Sequence, residues 1–126
     1  MKPEDIARES EDSQQMALMC WCNLAEIKAH YPQLKWLFHV PNGGARDKRE
    51  GAKFKAMGVK RGVPDLHLVW ASGSRLGLII ELKNNKGVLS IEQSEWLAHY
   101  YSQGYKAIVC YGWESARDEI IKYLEK

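Results

Sequence analysis

Residues 63–83 read VPDLHLVWASGSRLGLIIELK, and this stretch decides the fold. Two apolar runs flank the segment Ala71-Ser72-Gly73-Ser74-Arg75, whose composition is typical of a turn, so the stretch predicts a β-hairpin. Folding the chain about Gly73 gives four cross-strand pairs: Trp70 with Leu76, Leu68 with Leu78, Leu66 with Ile80, and Asp65 with Glu81.

The alternation of side chains along strands sorts the hairpin residues into two faces. The face predicted to form the core is wholly apolar and comprises Leu66, Leu68, Trp70, Leu78, Ile80 and Leu82. Asp65, Glu81 and Lys83 fall on the other face, with the β-carbons of the two opposed acids about 5 Å apart. Like charges so placed destabilise a sheet unless a cation or a shared proton lies between them, so the hairpin predicts a divalent metal site.

Mg²⁺ suits this site because it takes oxygen ligands at about 2.1 Å and is commonly held by one or two carboxylates together with a substrate phosphate. Lys83 would place an ammonium beside the metal, where it can orient an attacking water or stabilise charge on the phosphate. The alternative is a surface ion pair between Glu81 and Lys83, with Asp65 only following a turn at Pro64. The matching parity and the apolar opposite face favour the metal site.

The rest of the chain predicts helices and strands that flank the hairpin. They are a helix from Ser10 to about His30, a strand from Trp36 to Val40, a basic helix from Ala45 to Met57, a helix from Ile91 to Ser102, a strand from Ala107 to Tyr111 and a helix from about Glu114 to Leu124. Ser90 and Gln93 form a capping box at the start of the fourth element. The order predicts an α/β fold in which a mixed sheet is flanked by helices, with a parallel pair joined by a helical crossover.

The composition limits the class of protein. With 126 residues, 45% hydrophobic and 27% charged, we expect one domain over residues 1–126, in which residues 1–9 are flexible. No apolar run approaches the roughly 20 residues that cross a bilayer and residues 1–13 are unlike a signal peptide, so we expect a cytoplasmic protein that is not secreted and has no membrane partner. Three cysteines without a second close pair of ligands favour reduced, core-packed thiols over a zinc site. No Gly-x-Gly-x-x-Gly or Walker loop indicates a nucleotide cofactor.

The distribution of charge is more informative than the net charge of +2. Residues 46–61 contain seven basic residues against Asp47 and Glu50, a local net charge of +5. Such a cluster suits a polyanionic partner because Lys and Arg displace the counterions that condense on phosphates. A solvated helix face would show the same charge, so charge alone leaves both interpretations open.

At this point the motifs resemble those of a known family. Pro64-Asp65 followed by Glu81-Leu82-Lys83 resembles the PD-(D/E)XK nuclease superfamily, and the chain more narrowly resembles the VRR-NUC family, including its short stand-alone viral and bacterial members. The matching segments are Val40-Pro41-Asn42-Gly43-Gly44, Gly58 to Leu66, Ser90-x-x-Gln93-x-x-Trp96 and Gly104-Tyr105. The resemblance extends from about Ser10 to Leu124.

The resemblance implies a restriction-endonuclease-like fold and a DNA endonuclease with Mg²⁺ as cofactor, for which Mn²⁺ would also serve. It implies action on branched DNA such as Holliday junctions, in repair or recombination, by a homodimer in a bacterial or virus-infected cell. The products would carry 5′-phosphate and 3′-hydroxyl ends. Two other functions stay open, which are a DNA-junction-binding module without catalysis and a nuclease directed to flaps or nicks.

The resemblance also implies roles for single residues. The metal ligands would be Asp65, Glu81, Glu11 and the backbone carbonyl of Leu82. Lys83 would assist the attacking water, and Gln93 would contact that water or the scissile phosphate. Glu11 belongs to a Glu-x-x-x-Gln pattern with Gln15, although an acid in the first turn also favours the helix dipole. Gln93 likewise suits the third position of a capping box for local reasons.

The residues expected to bind DNA lie between the first predicted strand and Asp65. They are Asn42, Gly43, Gly44, Arg46, Lys48, Arg49, Lys53, Lys60 and Arg61. The Asn-Gly-Gly turn would let DNA approach the backbone closely or would only turn the chain. Lys60 and Arg61, just upstream of Asp65, are best placed for phosphate contacts. His39 and His67 are weaker candidates at the border of the site.

Overall fold

The structure is a computed structural model that describes residues 1–41 and 48–126. The helices in these ranges are α1 (Pro3–Ile6), α2 (Glu11–Cys22), α3 (Ala25–His30), α4 (Lys48–Ala56), α5 (Ile91–Ser102) and α6 (Trp113–Leu124), with a 3₁₀ helix at Pro32–Trp36. The strands are β1 (Leu37–His39), β2 (Leu66–Leu68), β3 (Leu78–Lys83) and β4 (Lys106–Tyr111). No helix in the described ranges is long and apolar enough to cross a membrane.

The strands form one mixed sheet in the order β1-β2-β3-β4. β2 is antiparallel to both β1 and β3, whereas β3 and β4 are parallel. The register of the hairpin is the predicted one, with Leu66 opposite Ile80 and Leu68 opposite Leu78. The chain returns through α5 between the two parallel strands, as predicted for a helical crossover. The predicted mixed sheet flanked by helices is therefore confirmed.

One face of the sheet packs against α2 and α6 and forms the core. The sheet side chains buried there are Leu66, Leu68, Leu78, Ile80 and Leu82, which are five of the six residues predicted for this face. Leu18 of α2 and Ile120 and Tyr123 of α6 are fully buried against them. Burial of each large aliphatic side chain contributes about 1.5–3 kcal/mol, so this face supplies most of the driving force for folding.

The outer part of the hairpin departs from the prediction. Trp70, predicted to lie in the core opposite Leu76, is 41% exposed, and Leu76 is 57% exposed. The Trp70 N–H donates to the carbonyl of Leu68 at 3.0 Å, which makes a tight turn and ends the alternation of faces. The Leu76 N–H donates to the carbonyl of Gly104 at 2.9 Å. The predicted Trp70–Leu76 pair is wrong because the extended backbone on which it depends ends at Leu68.

The opposite face of the sheet is covered by α5, whose predicted bounds are confirmed. Its capping box is complete, since the Ser90 hydroxyl accepts from the Gln93 N–H at 3.1 Å and the Gln93 Oε1 accepts from the Ser90 N–H at 2.9 Å. Glu81, which contacts Gln93 of α5, is only 2% exposed, and Lys83, which lies beside Gly87, is 7% exposed. They are not the surface ion pair that the sequence left as an alternative.

The single helix predicted from Ser10 to His30 is two helices in the structure. Asn23 ends α2, because its backbone N–H and its side-chain Nδ2 both donate to the Met19 carbonyl, at 3.1 and 2.8 Å. An Asn side chain that bonds to nearby backbone competes with continuation of the helix. Leu24 then has an extended backbone before α3 begins.

Other predicted boundaries also shift. Pro32 begins a 3₁₀ helix that runs to Trp36, so the strand predicted over Trp36–Val40 is confined to Leu37–His39. Residues 1–9, expected to be flexible, include the short helix α1, whose Pro3 is buried. The basic helix predicted from Ala45 is described from Lys48 onward, and residues 45–47 lie outside the described ranges.

The three cysteines carry free thiols. Cys22 and Cys110 are buried in the core, as predicted, whereas Cys20 is partly exposed. Burial raises the pKa of Cys22 to about 12 and that of Cys110 to about 11. Both buried thiols therefore stay protonated and act as small apolar side chains.

Candidate active site

Asp65 immediately precedes β2 and connects three strands. Its carbonyl accepts the Val40 N–H at 2.7 Å, just beyond the end of β1, and lies 3.0 Å from Nδ1 of His39. Its carboxylate reaches the other way, where Oδ2 accepts the Leu82 N–H of β3 at 2.9 Å. Pro64, which is fully buried, precedes it and anchors the chain in the interior on that side. The half-buried Asp65 carboxyl is thus held at one end of the sheet.

Glu81 and Lys83 lie on the face of β3 that α5 covers. The Nζ of Lys83 is 3.6 Å from Oε2 of Glu81. Burial, followed by the charge of Asp65 and a hydrogen bond between the two carboxyl groups, raises the pKa of Glu81 to about 8, while Lys83 acts in the opposite direction. The two acids therefore meet as the hairpin register predicts, and a proton satisfies Glu81 near neutral pH.

Gln93 contacts Glu81 directly. Its Nε2 donates to Oε2 of Glu81 at 3.3 Å, while its Oε1 accepts from the Ser90 N–H in the capping box. The two ends of the amide thus serve the helix cap and the contact with Glu81, and the contact of Gln93 with the attacking water or the phosphate stays a prediction. The helix cap consequently fixes the position from which Gln93 donates to the acid.

Gly62 is a residue that the sequence did not single out within its motif. It has φ +79°, and an added Cβ would lie 2.7 Å from the carbonyl carbon of Glu92 and 2.8 Å from the nitrogen of Gln93. One turn further along α5, the indole Nε1 of Trp96 donates to the Arg61 carbonyl at 2.9 Å. The loop before Asp65 therefore packs backbone to backbone on the first turn of α5. The signal in the sequence was a glycine inside a basic stretch, which does not reveal the distance to another element.

Glu11, in the first turn of α2, faces the same region. A cavity of about 270 Å³ is lined by Glu11, Asp12, Gln15, His39, Pro41, Asp65 and Leu82. A Cβ on Gly87 would lie 3.2 Å from Oε2 of Glu11 and 2.9 Å from Cδ of Lys83, so these two side chains approach each other there. The structure thus brings the Glu11 and Gln15 pair to Asp65.

The acidic side chains of the site suit the divalent metal that the sequence implies, although they do not form a complete set of ligands. No group of three or more His, Cys, Asp and Glu side chains in the described ranges converges closely enough to form a complete metal cluster. The donors that do meet are oxygens, since the charge of Asp65 and a hydrogen bond between the two carboxyl groups both act to raise the pKa of Glu81. Such a pair fits an ion that takes one or two carboxylates and completes its shell with water and substrate phosphate.

The predicted DNA contacts are only partly described. Arg49, Lys53, Lys60 and Arg61 are exposed, as contacts to phosphates require. Asn42, Gly43, Gly44 and Arg46 lie outside the described residues, as does the side chain of Lys48. Of the four exposed cations, Arg49 and Lys53 lie on α4, and Lys60 and Arg61 lie in the loop that leads to Asp65.

The two histidines take different positions. His39 lines the cavity beside Asp65. His67 is buried under α5, where its Nε2 is 2.9 Å from the hydroxyl of Tyr100, and burial lowers its pKa, with the charge of Asp65 acting the other way. His39 alone therefore borders the accessible part of the site.

The comparisons with known proteins agree with this geometry. The VRR-NUC domain family matches residues 4–114. A solved structure described as "VRR_NUC domain protein" is 32% identical, superposes with a TM-score of 0.77, and the match covers 92% of this chain and 88% of that one. No curated protein sequence matches this chain at a significant level.

Proposed function

The chain belongs to the VRR-NUC family of nuclease-type domains, and from this premise we propose that it is a metal-dependent endonuclease that hydrolyses phosphodiester bonds in branched DNA. The observation that carries the proposal is the contact of the Asp65 and Glu81 carboxyl groups with the ammonium of Lys83 beside them. Burying Glu81 and Lys83 beside a second, half-buried acid costs free energy. Binding of a cation and a phosphate accounts for that arrangement.

We assign the metal to Asp65 and Glu81, with Glu11 and the backbone carbonyl of Leu82 as the further ligands. A bound Mg²⁺ or Mn²⁺ would stabilise the negative charge that develops on the scissile phosphate. Lys83, held by Glu81, directs its ammonium at the attacking water or at the phosphate oxygens. The amide of Gln93 keeps the Glu81 carboxylate in one orientation.

The exposed cations of α4 and of the loop before Asp65 would bind the phosphate backbone on either side of the cleaved bond. Symmetric cutting of a four-way junction requires two active sites, so a homodimer is part of the proposal for that substrate. We take residues 1–126 as one nuclease domain.

The test compares labelled four-way junctions, flaps, nicked duplex, single strands and plain duplex, each with Mg²⁺, Mn²⁺ or a chelator. We expect cleavage that requires the metal, and Asp65→Asn, Glu81→Gln and Lys83→Ala should each lower it by about 100-fold or more while DNA binding in chelator persists. Binding without cleavage of any substrate by the wild-type protein would instead show a junction-binding module without catalysis. Light scattering of the protein with a junction would check the homodimer.

The role of Glu11 has a matched control in the chain. Asp12 is its neighbour in the first turn of α2 and lines the same cavity. If Glu11 is a ligand, Glu11→Gln should abolish metal-dependent cleavage and Asp12→Asn should largely retain it. If Glu11 only favours the helix dipole, both variants should cleave normally and lose a similar, small amount of stability, about 0.3–1 kcal/mol.

A further inference from the structure

Two aromatic side chains at the β1 edge of the described sheet are exposed. Phe38 lies in the edge strand β1 and is 49% exposed, and Trp36, at the end of the preceding 3₁₀ helix, is 51% exposed. We call these two residues the stacking surface. The two rings lie two residues apart on one short segment, where they offer apolar area to a ligand.

The ring of Phe38 is kept in one orientation by stacking on a buried side chain. It stacks on the imidazole of His67 with centroids 5.2 Å apart and planes 13° apart. His67 is 9% exposed and is itself fixed by Tyr100, whose ring meets it edge-on at 5.5 Å. One face of Phe38 is therefore covered by a supporting ring, and the other is presented to solvent in a fixed orientation. A ligand that stacks there loses little free energy in ordering the protein.

Lys35 places a cation beside the Trp36 ring. The Nζ of Lys35 lies 5.2 Å from the centroid of the Trp36 ring. The carbonyl of Trp36 accepts the Val69 N–H at 3.1 Å, which ties this segment to the end of β2. An exposed aromatic ring beside an ammonium matches a nucleotide, whose base stacks and whose phosphate is negative.

The stacking surface lies close to the proposed catalytic acids. Phe38 is opposite His67, which is opposite Ile79, so Phe38 shares its face of the sheet with Glu81. His67 follows Asp65 by two residues, which is about 7 Å along a strand. The next residue of β1, His39, lines the cavity that contains Asp65. A nucleotide on Phe38 would thus be a near neighbour of a phosphate at the carboxylates.

We propose that Trp36 and Phe38 bind unpaired bases of the DNA strand that is cut, so that the substrate class is DNA with unpaired nucleotides next to the scissile phosphate. Bases within a duplex already stack on each other and do not offer a free face, whereas unpaired bases do. The inference rests on the proposed nuclease function, whose substrate it narrows. The competing occupant of the stacking surface is a second copy of this chain, which the experiment distinguishes.

The experiment measures DNA binding by fluorescence anisotropy in chelator, so that it does not depend on catalysis. The probes are a single strand, a duplex with a single-stranded gap, and a fully paired duplex of the same length. The variants are Phe38→Ala, Phe38→Leu and Phe38→Tyr, with circular dichroism and thermal unfolding of each to confirm the fold. Tyr101→Ala is the matched control, because Tyr101 is also exposed and has Arg75 over its ring at 4.7 Å, but it lies eight residues beyond Gln93 on α5.

We expect Phe38→Ala and Phe38→Leu to weaken binding of the single strand and of the gapped duplex by roughly 5- to 100-fold, with little effect on the paired duplex. Phe38→Tyr, which keeps the ring, and Tyr101→Ala should bind like the wild type. Equal weakening for paired DNA, or wild-type binding by Phe38→Leu, would overturn the inference. So would a dimer in light scattering that Phe38→Ala dissociates without DNA present.

The two proposals fail in different ways. If the wild type cleaves DNA with Mg²⁺ but Phe38→Leu binds DNA as the wild type does, the nuclease function is supported and the role of the stacking surface is contradicted. If the wild type cleaves no DNA but Phe38→Leu weakens its binding to the single strand, the role of the stacking surface is supported and the nuclease function is contradicted.

Discussion

Glu81→Gln should make the stability of the metal-free protein less dependent on pH. In the folded chain burial, the Asp65 charge and the hydrogen bond between the two acids raise the pKa of Glu81 from its ordinary value of 4.5 to about 8, against the opposing effect of Lys83. Between these two pH values the folded chain holds a proton that the unfolded chain has released. The contribution of this carboxyl group to stability is therefore fully present below a pH of about 4.5 and is lost as the pH rises towards about 8.

The size of the effect follows from the pKa difference. Each pKa unit corresponds to about 1.4 kcal/mol, so the raised pKa of Glu81 corresponds to a loss of at most about 5 kcal/mol across the window. Part of this is shared with Asp65, whose charge contributes to the shift. We therefore expect the free energy of unfolding of Glu81→Gln, relative to the wild type, to rise by about 2–5 kcal/mol between pH 5 and pH 8.5.

Urea unfolding in chelator at half-unit steps of pH measures this difference. Glu95→Gln is the matched control, because Glu95 is an exposed acid on α5 and its replacement should leave the pH profile parallel to that of the wild type. Parallel profiles for Glu81→Gln and the wild type across the whole window would refute the reasoning. If Mg²⁺ binds at the proposed site, it should stabilise the wild type more as the pH rises towards 8, since it would compete with the Glu81 proton.

Three further predictions concern single residues. In urea unfolding, Gly62→Ala should lower the free energy of unfolding by about 3 kcal/mol or more, and Gly58→Ala by about 1–2 kcal/mol. Both residues have positive φ, but only the Cβ added at Gly62 would meet backbone, at 2.7 Å. Equal losses of stability would contradict the contact. Gly87→Ala should lower the free energy of unfolding by about 1–3 kcal/mol, because its Cβ would lie 2.9 Å from Cδ and 3.1 Å from Cβ of Lys83. It should also lower DNA cleavage at least about tenfold by displacing Lys83, and unchanged cleavage would contradict this. Tyr123→Phe should cost about 1–3 kcal/mol by calorimetry, because it leaves a hairpin carbonyl without the hydroxyl that donates to it at 2.6 Å; an unchanged unfolding midpoint would contradict this loss.

Local patterns in the sequence sufficed where one periodicity governs a whole element. The hairpin register follows from the alternation that makes Leu66 and Leu68 face Ile80 and Leu78, and a one-residue slip would expose that set. The start of α5 follows from the capping box of Ser90 and Gln93. Both signals act between residues that are close in sequence or tied by one turn.

The predictions failed where a backbone hydrogen bond competes with the periodicity. The apolar spacing of the first helix continues through Asn23, but the bonds of Asn23 to the Met19 carbonyl end α2. The apolar face of the hairpin includes Trp70 by parity, but a turn at Leu68 exposes it. Periodicity reports which face could be buried and does not report where the backbone leaves the element.

The candidate site divides in the same way. That Asp65 and Glu81 meet could be predicted, because it follows from the register. That Glu81 is buried could not, because the sequence does not say which helix covers that face of the sheet. Gly62 and Gly87 were beyond prediction for a related reason, since their importance lies in distances to elements that are remote along the chain.

The burial of one half of the site bears on how DNA reaches it. Glu81 and Lys83 are buried, and charges interact more strongly there than at the surface. Asp65 and Glu11 instead line the open cavity, together with His39 at the end of β1. In the part of the chain that the structure describes, a phosphate can therefore reach Asp65 through this cavity, from the side of β1 and α2. Since the stacking surface lies on that same edge strand, the strand to be cut and its unpaired bases would approach across β1.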